Sequence, residues 1–313
     1  MTTSGFTPAG APDQAKNVEV DPEETAKDAS AERPEAWYSV IWSSKKARVG
    51  VITVGIFILI AVFAPWIAPH DPTDSSFVPL AGPSGSNWLG TTTNGQDVAS
   101  QLVYGTRVSL IVGLFGGLLA TVIALVVGMI SGYAEGTWLD DVLTFVTNVA
   151  LVIPVLPLII TLVAYSSTRG VTLIIFVIAI TSWAGAARAK RAQIITLRNR
   201  DFVTAAKFSG EGTLRIVFRE IMPNMTSLVA ASFVGAATGA IGAEAGLAVL
   251  GLGDNNQVSW GTMLYQSNAQ GAIAQGLFIW VFAPGLLLAI LITAMCFVNF
   301  GVDLLSNPHL RED

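Results

Sequence analysis

Between Val49 and Ala68 the chain runs twenty residues without a charged side chain. Five more predominantly apolar stretches follow, near 107–133, 140–165, 171–188, 225–250 and 277–302. A helix of about 20 residues crosses roughly 30 Å of hydrocarbon, so each stretch is long enough to span a bilayer. The pattern predicts an all-α polytopic membrane protein with six transmembrane helices. Composition agrees, at 52% hydrophobic and only 12% charged residues, outside the range of ordinary soluble domains. The first of these stretches stops at Pro65-Trp66-Ile67-Ala68-Pro69, an aromatic and proline ending suited to the membrane interface.

Charge placement predicts the orientation. Lys45, Lys46 and Arg48 precede the first span. Arg188, Lys190, Arg191, Arg198, Arg200, Lys207, Arg215 and Arg219 lie between the fourth and fifth, and Arg311 follows the sixth. The opposite side holds only Arg107 and Arg169. Excess Lys and Arg mark cytoplasmic loops, so both termini and the 189–224 loop are expected in the cytoplasm and 69–106 outside. Residues 1–36 carry eight acids against three bases, which accounts for the whole net charge of −5. A Pro/Ala/Glu-rich opening of this kind cannot bury a core, and 1–44 reads as a disordered acidic tail. Residues 303–313 form a second, short tail.

Within the cytoplasmic loop, Asp201 to Asn224 is a polar and basic interruption with two amphipathic pieces. Phe202, Ala205, Ala206, Phe208 and Ser209 fall at helical spacing, and Gly210 is placed to end that helix. Leu214, Val217, Phe218 and Ile221 then form one side of a second piece, with Arg215 and Arg219 on the other, and Pro223 is expected to break the chain before the fifth span. A short helix with an uncovered apolar side between membrane spans needs a groove on another protein. The loop reads as a docking element.

At this segment the sequence resembles the permease subunits of ABC importers. Thr204-Ala205-Ala206, then Gly210, then Met222-Pro223 are similar to that family's Glu-Ala-Ala, three residues, Gly and Leu-Pro, and Gly210 to Pro223 keeps the spacing of thirteen. Thr204 stands where the family has Glu, which removes one charge, and Met222 replaces Leu with little change in volume. Asn87-Trp88-Leu89-Gly90-Thr91, Gly95-Gln96-Asp97 and the string Glu244-Ala-Gly-Leu-Ala-Val-Leu-Gly-Leu-Gly253 with Ser259-Trp260-Gly261 resemble the dipeptide/oligopeptide (nickel) class, second-permease or C-type subunit. Gln96 and Thr92 depart from that class's Arg and Asp. The likeness covers about 37–311.

The resemblance implies a type I ABC importer permease fold in the cell membrane and a non-catalytic transport subunit. It implies as partners a homologous second permease, two ATPase subunits and an extracytoplasmic substrate-binding protein. ATP and Mg belong on the partners, with no cofactor in this chain. Phe202, Thr204, Ala205, Ala206, Phe208, Gly210, Arg215 and Pro223 become the ATPase-coupling residues. Peptides are the first reading of the cargo, with oligosaccharides or nickel as the alternative on the same machinery. A stand-alone secondary transporter is the competing class. It usually needs intramembrane carboxylates, and Glu244 alone lies well inside an apolar run.

Three further features bear on a pathway. Asn148, Pro154 and Pro157 lie in the third span, where the prolines either kink a structural helix or free carbonyls toward a cavity. Glu244 falls about 30 Å along the fifth span from Met225, placing it toward the outer mouth as a gate candidate. Gly113/Gly117 and Gly128/Gly132 in the second span, and Gly235/Gly239 and Gly242/Gly246 in the fifth, sit at four-residue spacing. Such spacing serves either close packing or helices that slide. Asp97 to Tyr104 reads as a short amphipathic helix on the outer surface. The sequence contains no phosphate-binding Gly-x-x-x-x-Gly-Lys-Ser/Thr loop and no nucleophile elbow, and His70 and His309 are too far apart to suggest a metal site.

Overall fold

The computed structural model describes residues 42–166, 170–254 and 256–306. The acidic opening up to residue 41, Arg169 and 307–313 lie outside the described residues.

Helix α1 (Lys45–Ile67) begins at Ser44, whose hydroxyl accepts the Ala47 N–H. Ala47, Gly50, Phe57 and Ala64 form its buried side. The close approach at Gly50 is to α11 (Phe278–Ser306): a β-carbon there would lie 2.7 Å from the Ala294 carbonyl. Val49, Ile52, Ile56, Leu59 and Phe63 point outward, as lipid-facing residues should.

The segment after α1 folds into a cap on the next helix. Gly90 and Gly95 take positive φ, and an isolated bridge joins Thr91 to Asp97. Asp97 is fully buried. One carboxylate oxygen takes the Asn87 amide at 3.0 Å, and the other takes the Ser100 N–H at 2.8 Å and hydroxyl at 2.7 Å. That N-cap starts α2 (Val98–Tyr133), so Asp97 to Tyr104 is not a separate surface helix. At 36 residues α2 is about 54 Å long and forms the spine of the molecule.

Around α2 pack the remaining elements: α3 (Trp138–Val152), α4 (Val155–Ala164), α5 (Val171–Ser182), α6 (Ala184–Arg198), α7 (Asp201–Phe208), α8 (Thr213–Ile216), α9 (Thr226–Val249) and α10 (Trp260–Ala269). The third apolar stretch is a broken helix: α3 and α4 meet at 85° where Pro154 removes a backbone donor. The fourth continues through a 45° bend into α6 and ends at Arg198, ten residues beyond its expected limit. Among the described residues three helical runs are long and apolar enough to cross a membrane unaided, Val98–Tyr133, Thr213–Val249 and Phe278–Leu305, and up to five if each bent pair is one crossing.

Glycine governs the approach of α2 to its neighbours. A β-carbon on Gly117 would lie 2.6 Å from the Ala237 backbone of α9, and one on Gly113 would strike Ile241. Gly128 and Gly132 make the same kind of contact with Ala187, Lys190, Arg191 and Ile194 of α6. Among the described residues, a β-carbon on Gly235, Gly239, Gly242 or Gly246 of α9 would instead meet nothing within 4 Å.

Candidate functional site: the segment joining α6 to α9

Helix α7 opens with Asp201 in its first turn and closes with Lys207 in its last, each complementing the helix dipole. It stops as Gly210 predicts. Gly210 adopts φ +77°, its N–H bonds the Lys207 carbonyl, and the Glu211 N–H reaches back to Ala206. This is a Schellman ending, which requires a left-handed residue at that position. Arg215 is exposed and pairs with Glu211 at 3.3 Å, one helical turn away.

The second piece divides its apolar residues in two directions, correcting the single apolar side expected of it. Ile216, Val217 and Ile221 turn inward with Val203 and Met225, and pack on Ile194 and Leu197 at the end of α6. Leu214 and Phe218 turn outward, 74% and 59% exposed. Phe208 is 89% exposed, and Phe202 is partly so. Thr204, Ala205 and Pro223 are exposed, and Ala206 is half-buried against the inward cluster. The segment is an anchored knob with large aromatic and aliphatic groups left uncovered.

Nor does Pro223 break the chain. The turn Val217–Ile221 is widened, with the Met222 N–H bonding the Val217 carbonyl, and Met222–Met225 then tightens to a 3-10 turn leading straight into α9. A proline ring clashes with the carbonyl four residues earlier, and the irregular turns absorb that clash without ending the helix. The knob is therefore the near end of α9.

Several residues that the sequence showed only as scattered charge tie this knob to the bundle. Arg191 makes a bidentate pair with the buried Asp140, at 2.8 and 2.7 Å. Ser131 and Thr144 donate to the same Asp140 oxygen, at 2.6 and 3.0 Å. Lys190 is fully buried and donates to Ser232 of α9 at 2.7 Å. Arg198 donates to the Tyr133 carbonyl at the end of α2, and Lys207 lies over the Tyr133 ring. In sequence the basic run sets the membrane orientation and supplies Arg215 to the coupling loop, and it does not reveal these contacts. The available signal was the pair Asp140-Asp141 in the first turn of the third apolar stretch, which needs cationic partners.

The pathway candidates do not converge. Asn148 accepts from Arg188 at 2.6 Å beside a cavity of about 260 Å³. Pro154 lies in the exposed bend between α3 and α4, and Pro157 in the first turn of α4. Glu244 is 2% exposed and accepts the Ser259 hydroxyl at 2.7 Å, where Ser259 caps α10. Beside it the Trp260 indole donates to the Leu102 carbonyl and packs on Gly105. Glu244 thus holds α10 onto α9 at the end of the molecule opposite the knob. Among the described residues no group of three His, Cys, Asp or Glu could hold a metal ion.

Among the described residues, a helical bundle with up to five apolar crossings, and a knob built into the near end of one of them, has the form of a multi-pass membrane component. The sequence family is shown by direct comparison. The chain belongs to the binding-protein-dependent transport system inner membrane components, whose pattern matches 124–312, and 37–83 match the N-terminal TM domain of oligopeptide transport permease C. It is 33% identical over 279 residues to the dipeptide transport system permease protein DppC of Haemophilus influenzae, covering 86% of this chain and 92% of that one. It is 30% identical to the oligopeptide transport system permease protein OppC of Bacillus subtilis, over 86% and 88% of the two chains. Among solved structures, a chain from inward-facing conformations of the MetNI methionine ABC transporter superposes with a TM-score of 0.52 at 18% identity. It covers 66% of this chain and 97% of that one, a likeness of fold.

Proposed function

We propose that this chain is a permease subunit of an ATP-driven importer of short peptides, forming half of the translocation pathway. It works with a homologous second permease, two ATPase subunits and an extracytoplasmic binding protein. ATP and Mg are held by the ATPases. The peptide cargo rests on the names of the relatives, and the same relatives support its place in the cell membrane.

One observation carries the mechanical part: Phe208, Leu214 and Phe218 stand uncovered on a segment whose opposite side is buried in the bundle. Uncovered aromatics on an anchored element are what a grooved partner requires. A groove on the ATPase that holds Leu214 and Phe218 moves α9 with it, because the chain stays helical from Thr213 into α9. Nucleotide shifts the permease only by its different affinity for two states, and about 5.5 kcal/mol carries an equilibrium from 1:99 to 99:1.

Counting α1 and each bent pair as one crossing gives six spans, with both termini and the knob in the cytoplasm. The break at Pro154 leaves backbone carbonyls without helical donors among exposed residues. Lipid cannot satisfy them, so this bend faces the second permease or a water-filled pathway.

Phe208→Asp and Phe218→Asp test the docking role. Both side chains are exposed, so membrane insertion and thermal stability stay within about 0.5 kcal/mol of the parent. ATPase copurification and uptake are expected to be lost. Normal copurification in both variants would refute it.

A further inference from the structure

We propose that the cleft bounded by Asp71, Thr73, Tyr104, Arg107, Asn256 and Gln257 is a subsite for a short peptide with free termini, Asp71 facing its ammonium and Arg107 its carboxylate. The proposal deepens the peptide-importer reading and rests on it.

The cleft has a volume of about 410 Å³, within the usual range of small-ligand sites. It lies where α2 emerges into the folded cap, whereas Tyr133, beside the knob, is 26 residues further along the helix, about 39 Å. In the importer orientation this is the outer mouth.

Two opposite charges share the cleft without neutralising each other. Asp71 and Arg107 form no ion pair, with each other or with any other described residue. Each is held in place by other means. The Thr73 hydroxyl and N–H both donate to Oδ1 of Asp71, at 2.5 and 2.8 Å, which lowers the pKa of the carboxyl below its ordinary value and keeps it ionised. Those bonds leave Oδ2 free to accept. The Arg107 guanidinium lies 5.9 Å from the centre of the Tyr104 ring, a cation–π contact that orients the fork without occupying its donors. The exposed amides of Asn256 and Gln257 complete the lining and offer both donors and acceptors to peptide bonds. A guest with a positive end, a negative end and amides between matches that arrangement. A protein partner has better ground elsewhere on the cap, where Val78, Leu80 and Trp88 are exposed and do not line the cleft.

The test uses the assembled transporter in nanodiscs without the binding protein. Trialanine, its N-acetylated form and its C-terminal amide serve as probes, with binding read by saturation-transfer NMR. Trialanine is expected to bind more tightly than either blocked form. Arg107→Gln should weaken trialanine about tenfold, the loss of one charge-assisted hydrogen bond, and erase the difference between acid and amide. Asp71→Asn should erase the difference between free and acetylated amine. Indifference of the parent to blocked ends, or unchanged selectivity in both variants, overturns the subsite. So does a variant that binds trialanine normally while losing affinity for the loaded binding protein, which would make the cleft a protein dock. A parallel assay with binding protein present separates the two readings. If trialanine stimulates ATP hydrolysis equally in the parent and the cleft variants, the subsite alone fails. If no peptide stimulates it, the cargo reading fails and the subsite with it.

Discussion

At Gly210 a single backbone angle decides whether the knob has a defined end. The φ of +77° is a conformation that a β-branched residue resists at a cost of about 1–2 kcal/mol. Nothing lies within 4 Å of the position where a β-carbon would be built, so the penalty is conformational and not steric crowding. Gly210→Val is therefore expected to fray α7 and abolish uptake while the chain still inserts. Gly210→Asn should recover much of the uptake, because asparagine tolerates the left-handed region. Equal uptake in Val and Asn variants would show that the ending is not required. Asp140 makes a second case at this scale. Its pair with Arg191 is bidentate, but the arginine side chain is 29% exposed, so the loss on Asp140→Ala is put at about 1–3 kcal/mol, below that of a fully buried pair. Thermal unfolding in detergent reads it. Asp140→Leu with Arg191→Met should lose less than the sum of the single changes.

Helix packing separates the glycines into two kinds that the sequence does not distinguish. Gly117→Val drives a side chain into the Ala237 backbone and should lower the unfolding midpoint of the isolated chain, an overpacking cost of about 1–3 kcal/mol. Gly239→Ala, with no described neighbour within 4 Å and a helical backbone that favours alanine, should not lower that midpoint. Both pairs share one spacing, and only tertiary contact tells them apart. The same limit explains the other differences. Apolar runs locate the long helices α2, α9 and α11, and Gly210 locates the end of α7, because hydropathy and a left-handed turn are local properties. Pro223 signalled a break because a proline is read against a regular helix, and the widened turn that accommodates it has no local signature. Leu214 and Ile216 are equally apolar in sequence, yet one is exposed and the other buried, which depends on where Ile194 and Leu197 lie.

For the molecule as a whole, the organising relation is between two ends of one bundle. At one end Glu244, Ser259 and Trp260 fasten α10 to α9 and α2. At the other, Lys190, Arg191 and Arg198 fasten α6, the helix that leads into the knob, to α9, α3 and α2. In the proposed mechanism a displacement imposed at the knob is passed to α9, with the energy supplied by a partner ATPase. The most direct measurement is the labelling rate of the thiol introduced by Phe208→Cys, in a Cys296→Ser background, with a membrane-impermeant maleimide in inside-out vesicles. Slow labelling in the assembled transporter and fast labelling once the ATPase subunits are stripped away is the predicted result. Equal, fast labelling in both would mean that the knob stands in water in the working complex, and would contradict the account.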